Sequence, residues 1–304
     1  MKKSTPSIGS VGVTVDEKSL RVKVLHEDVF FEEEAIRQAL SHDVGKSIPA
    51  WAILQHPEGR FTARVIGQRL ASLTPFRLSS GIEVREEARI RTSAGLDIVY
   101  VGGSGEGRTH ADNLRNERDL AQAAFLQRPV PLPEVRGVTF ERLSTQLSKK
   151  DITGLLEMYR LCFTSYLVDL DESLVQGAAA NSLFFVARNR DGTIIASAIG
   201  ESLRVGPLTL LEVSEEASHP ELRVKGAASM CAKMVIEEGK RCLRAPVVPF
   251  WEARMWKNII GMGPRVGLTE YGGILHQHCL ISSPPEFTTI PQTKYGSLAV
   301  FYAR

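Results

Sequence analysis

Stretches in which apolar and polar residues alternate with a period of two read as strands, and stretches with a period near 3.6 read as helices. In the first part of the chain strands are read over 11–15, 20–25, 82–91 (where apolar and charged residues alternate) and 96–101, a buried apolar strand over 48–54, and helices over 32–40, 58–73 and 113–126. The run LQRPVPLPEVRG at 126–137 follows, where Pro129, Pro131 and Pro133 forbid both helix continuation and ordinary ladder hydrogen bonding. It reads as a linker or extended edge between an N-terminal mixed α/β domain, residues 1–130, and a second domain, residues 131–304. The second domain has strands over 138–143, 183–188, 194–203, 208–217, 247–250, 273–281 and 297–302, and helices over 152–166, 172–179 and 255–262. A further helix follows 226, and Arg190-Asp191-Gly192 makes a hairpin-type turn.

Composition narrows the class. The 304 residues are 43% hydrophobic, enough for a sizeable core, and carry a formal charge of only +2. Aromatic and basic residues do not interleave, which argues against nucleic-acid binding. Cys162, Cys231, Cys242 and Cys279 include no CxxC pair; this usage suits a reducing compartment and supplies no zinc template, so no metal is expected. MKKSTPSIGS at the start lacks an apolar segment, and no apolar run is long enough to cross a bilayer, so a soluble cytoplasmic protein without membrane contact is expected.

The most informative stretch is 208–241. An apolar strand carrying Glu212, Glu215 and Glu216 runs into a His219-Pro220 break, and Arg223-Val224-Lys225-Gly226-Ala227-Ala228 then opens an amphipathic helix. The first N–H groups of a helix have no intrahelical partner, and the helix dipole adds positive charge, so an anion such as a pyrophosphate fits there. Gly226 removes a Cβ that would obstruct close approach of the backbone to phosphate oxygens. The run GGSGEG at 102–107 also lies between a strand and a helix, yet it matches neither the dinucleotide fingerprint nor a P-loop and reads as a flexible turn.

Arg223-x-x-Gly226-x-Ala228 after such a strand resembles the acetyl-CoA pyrophosphate loop of the GNAT N-acetyltransferase superfamily. Further stretches resemble one branch of it, the beta-lysine N-acetyltransferases: Glu212-Val213-Ser214-Glu215-Glu216-Ala217, then Pro220-Glu221-Leu222-Arg223-Val224-Lys225-Gly226, and Glu252-Ala253-Arg254 as a helix opening. Tyr271-Gly272-Gly273-Ile274-Leu275, Ser297-Leu298-Ala299-Val300-Phe301-Tyr302 and the glycine-led strand from Gly81 to Ile90 complete the set. The resemblance implies an α/β (α+β) GNAT acyltransferase fold with the additional N-terminal mixed α/β domain. It also implies acetyl-CoA as acyl donor, held by Arg223, Val224, Lys225, Gly226, Ala227, Ala228 and Asn258. The acceptor would be a small-molecule amine such as an amino acid or a biosynthetic intermediate, and a homodimer is left open. Departures from the family include glutamate at 215, where it favours aspartate, and a helix interrupted by Gly263-Pro264.

Acyl transfer to an amine requires removal of a proton from the ammonium, polarisation of the thioester carbonyl and stabilisation of the departing thiolate. Residues two apart on a strand share a face, so Glu212, Ser214 and Glu216 would project together and Glu215 oppositely unless a bulge intervenes; the resemblance implies such a bulge. Glu212 and Glu215 are the expected base or ammonium-binding groups, with Glu216 in reserve. Tyr271 is the expected acid towards the thiolate, with Tyr295 as the other available phenol. Cys231 reads as a buried structural thiol, and His276 and His278 share a strand face without a third metal ligand. The N-terminal half is expected to lie over the acceptor side. The competing reading is a catalytically silent GNAT-like module that binds acyl-CoA or a protein partner.

Overall fold

The computed structural model describes residues 12–16, 21–25, 50–56, 60–68, 72–77, 83–104, 111–126, 131–163, 170–205, 207–255, 261–280 and 295–304. The first half contributes strands β1 (Gly12–Asp16), β2 (Arg21–Leu25), β3 (Ala50–His56), β4 (Arg60–Gln68), β5 (Phe76–Arg77), β6 (Glu83–Arg91) and β7 (Leu96–Ser104), followed by helix α1 (Ala111–Leu126). The second half runs β8 (Thr139–Arg142), α2 (Lys149–Cys162), α3 (Glu172–Asn181), β9 (Leu183–Arg188), β10 (Ile194–Val205), β11 (Leu208–Ser218) and α4 (Ala227–Cys242). It ends with β12 (Val247–Arg254), a 3-10 turn Gly263–Val266, β13 (Glu270–Leu280) and β14 (Tyr295–Tyr302). From β8 onward this is the order read from the sequence, except that between β12 and β13 the described residues hold only the 3-10 turn where a helix over 255–262 was expected.

Three expectations need correction. Residues 60–68 form strand β4, where a helix over 58–73 was read; Phe61, Ala63 and Val65 alternate with Arg60, Thr62 and Arg64, and that period of two prevails over the helix formers flanking it. Glu252-Ala253-Arg254 does not open a helix but extends β12 beyond 250. Gly102 and Gly103 lie inside β7, paired with β4 and β6, rather than in a turn. The helices expected over 32–40 and, for residues 256–260, over 255–262 lie outside the described residues, as do residues 105–107 of the expected turn.

All fourteen strands join in one mixed sheet, in the order β1-β2-β3-β4-β7-β6-β13-β14-β12-β11-β10-β9-β8, with β5 beside β6. The halves meet where Gly273 of β13 pairs with Ala88 of β6. Gly273 has φ +138°, and a β-carbon there would run into the carbonyl oxygen of Glu87, so only glycine lets these backbones approach.

Alternation along the strands divides the core between the two faces. On one face, Leu183, Phe185 and Ala187 of β9, Leu211 and Val213 of β11 and Phe301 of β14 pack against Ala227, Cys231, Val235 and Ile236 of α4, with Ala121 of α1 in the same cluster. On the other face, Phe184 and Val186 pack against Leu155, Met158 and Tyr159 of α2 and Val175 of α3. That second face continues as a cluster of strand residues, in which Ile90, Ile98 and Tyr100 of the first half join Leu210, Phe250, Leu275 and Val300 of the second. Helices α2 and α3 start at Ser148 and Asp171, whose side chains accept the N–H groups of Asp151 and Leu174.

Candidate functional site

Strands β11 and β12 run parallel and pair only from Thr209–Val247 to Glu212–Phe250. Beyond that point β11 continues to Ser218 beside β10, and β12 continues to Arg254 beside β14. The strands therefore fork, and their facing edges past Val213 and Trp251 have no partner strand among the described residues. Such edges present N–H and C=O groups to an extended ligand that carries amides of its own.

Helix α4 begins at the mouth of this fork. The His219 ring caps the approach by accepting the N–H groups of Glu221 and Leu222 through Nδ1, both at 3.2 Å. Gly226 then turns with φ +87°, Ala227 N–H bonds the Val224 carbonyl at 3.1 Å and Met230 N–H bonds that of Gly226 at 2.9 Å. A helix start leaves the N–H groups of Ala228 and Ser229 without intrahelical acceptors, and Arg223 and Lys225 are exposed beside them. These groups fit a pyrophosphate. The expected reason for glycine at 226 needs revision, however: a β-carbon there would point at the Pro133 ring, 2.7 Å from Cγ, and not at a vacant anion site.

The acids of β11 are distributed by a bulge. Ser197 pairs with Ala217 and Ile199 with Ser214, so Glu215 and Glu216 together oppose Ala198. Glu215 takes φ +43°, unusual for a residue with a side chain and a mark of local strain. Its carbonyl accepts the Ser197 hydroxyl at 3.2 Å, and its charge, together with dominant burial, raises the pKa of Tyr159. Glu216 is disposed towards α4: burial raises Cys231 and the charge of Glu216 raises it further. Burial also lifts the Glu216 carboxyl to about 8. Glu212 and Ser214 remain on the face away from α4, where Glu212 pairs across the ladder with Glu201. Ser214 Oγ is enclosed without a hydrogen-bond partner among the described residues.

Glu212, Glu215 and the loop 223–228 thus lie on one strand and at the helix start that follows it. Tyr271 is not brought to them. Its strand is three positions from β11 in the sheet, roughly 14 Å along it, and its ring packs against Phe125 and Phe301 in the cluster on the α4 face. Burial raises its pKa. Asn258 and the side chains of Tyr295 and His278 lie outside the described residues.

Sequence reasoning passed over two groups. Glu201 on β10 and Glu252 on β12 flank Glu212 on its own face, and the period-two rule applied to β10 and to a longer β12 would have found them. The other group is a buried cluster: the His276 ring bonds Glu117 of α1 through Nδ1 at 2.7 Å, and the Ser297 hydroxyl donates to the same carboxylate at 2.7 Å. No local sequence signal links residues so far apart. Among the described residues no three His, Cys, Asp or Glu side chains converge as metal ligands, and no helix is long and apolar enough to cross a membrane.

No protein-family model matches the chain, and no curated protein matches it. Solved structures similar to part of it include a GNAT superfamily phosphinothricin acetyltransferase from Sinorhizobium meliloti in complex with AcCoA, 15% identical over 55% of this chain and 88% of that one, with a TM-score of 0.40. The ribosomal-protein-S18-alanine N-acetyltransferase from Escherichia coli is 14% identical over 54% of this chain and 92% of its own, with a TM-score of 0.39. A Drosophila melanogaster polyamine N-acetyltransferase is 13% identical over 55% and 99%, with a TM-score of 0.41. Nothing about substrate or site residues follows from likenesses at this level.

Proposed function

We propose that the protein is an N-acyltransferase of the GNAT type, moving an acetyl group from acetyl-CoA to the amine of a small molecule such as an amino acid or biosynthetic intermediate. One observation carries the reading: the β11–β12 fork opens directly in front of a helix start with free N–H groups and exposed Arg223 and Lys225. The backbone at Val224 to Ala228 would hold the pyrophosphate, and the open strand edges would hold the amides of the pantetheine arm. The bound thioester supplies an activated acyl carbon.

Glu212 and Glu215 are the groups assigned to the acceptor. An alkylamine is almost wholly protonated near neutrality, so a carboxylate must bind the ammonium and take or relay its proton. Glu201 and Glu252 on the flanking strands add negative charge to the Glu212 face and favour a cationic acceptor. The N-terminal strands border that face through the cluster containing Ile90 and Tyr100.

Thiol release from acetyl-CoA in the presence of a panel of diamines and amino acids tests the proposal. Turnover with at least one amine is expected. Tight CoA binding with no thiol release for any amine would support a silent CoA-binding module instead.

A further inference from the structure

We infer that Glu216 is the acid that protonates the departing thiolate, a role that rests on the acyl-transfer reading above. The bulge turns this residue to the α4 side of β11, a few residues past the point where the fork opens. Oε1 is enclosed and has no hydrogen-bond partner among the described residues, while the residue as a whole is only half-buried. The titratable neighbour whose ionisation it disturbs is Cys231 on α4, itself driven upward mainly by burial. Among the described residues no cation offsets the burial of Glu216, whose raised value has desolvation as its cause. A carboxyl in this setting holds its proton near neutrality, which disqualifies it as the reserve base and equips it as an acid. Tyr271, the phenol expected for the task, lies three strands away.

The chemistry balances. As the amine nitrogen bonds to the acyl carbon, the C–S bond breaks and its electron pair stays on sulfur. Glu216 delivers its proton there, forming the S–H bond and becoming a carboxylate. Two protons leave the nitrogen, one from the ammonium before attack and one as the amide forms; Glu212 or Glu215 passes both to solvent, and one from solvent restores Glu216. Even the cysteine thiol, among the more acidic alkyl thiols, titrates at about 8.5, just above the value of about 8 at Glu216. Such matching favours proton transfer in the transition state.

Glu216→Gln keeps the size and removes the transferable proton. Turnover with acetyl-CoA should fall on the order of 100-fold, the usual worth of a positioned acid, with CoA affinity unchanged by equilibrium titration and partial rescue in Glu216→Asp. The loss should shrink with an aryl thioester, whose leaving thiol is acidic enough to depart without a proton. The alkaline decline of the wild-type rate should also disappear in the Gln variant. Independently of turnover, infrared spectra of the glutamate-labelled protein should show a protonated carboxyl near neutral pH that is missing from Glu216→Gln. Unchanged turnover in the variant, or an ionised Glu216 in the folded wild type, overturns the assignment alone. A wild type that binds CoA and releases no thiol with any amine overturns both this assignment and the parent reading.

Discussion

The Pro133 ring lies where a β-carbon on Gly226 would stand, with Cγ 2.7 Å from that position and Cδ 3.2 Å from it. The proline-rich segment before β8 thus braces the turn that opens α4, and Val135 joins the core cluster beside it. The Gly226 turn and the proline-rich segment form one mechanical unit.

Gly226→Ala should therefore destabilise the protein on two counts, the left-handed φ and the clash, by about 1–3 kcal/mol in total. Pro133→Gly relieves the clash and leaves the backbone strain in place. A double-mutant cycle by chemical denaturation should show a favourable coupling on the order of 1 kcal/mol between the two substitutions. Strict additivity would mean that Pro133 does not brace the loop.

Helix α1 is fastened to the sheet by Glu117, which takes the Ser297 hydroxyl and faces His276 Nδ1, all of them buried. Glu117→Ala removes the carboxylate that both partners share and leaves the Ser297 Oγ–His276 Nδ1 contact at 3.3 Å, at about 1–3 kcal/mol for the lost buried acceptor. The variant should unfold at lower denaturant, and amide exchange should accelerate in residues 111–126 and in β13 before it does in α4. Equal acceleration everywhere would show that the cluster contributes only to global stability.

Glu212→Gln and Glu215→Gln each keep the side-chain volume and remove the basicity. Whichever carboxylate manages the amine proton should lose on the order of 100-fold in turnover when replaced, with acetyl-CoA affinity preserved because α4 is untouched. The defect should narrow as pH rises, since more of the amine then arrives deprotonated. Full activity in both variants, measured as thiol release, would remove these residues from the mechanism.

How much of this was legible depended on whether the signal was local. The apolar run of β11, the helical spacing of Ala227, Cys231 and Val235 and the loop between them are continuous in sequence, and the fold follows them. The bulge at Glu215 and Glu216 is set by pairing with Ala198 on another strand, so no rule along β11 alone assigns the two acids to opposite sides. The same holds for Pro133 against Gly226 and for Glu117 against His276, contacts that exist only once the sheet has assembled. Tyr271 illustrates the converse: a phenol in a matching motif was legible, but only the sheet order shows that its strand stands three positions from β11.

The raised pKa of Glu216 also bears on stability, and its sign follows from where the proton resides. In the unfolded chain the carboxyl titrates at about 4.3; in the folded protein burial lifts it to about 8. Between those values the native state holds a proton that the unfolded state has released, so its contribution to stability falls as pH rises. The slope is up to about 1.4 kcal/mol per pH unit, and the loss levels off above the folded value. Glu216→Gln should flatten this dependence and be more stable than wild type at alkaline pH, with little difference at acid pH. Denaturation midpoints between about pH 5 and pH 9 would reveal the convergence at the acid end. Parallel wild-type and variant curves across that range would mean that Glu216 ionises normally in the folded protein, and its part as the acid would fall with it.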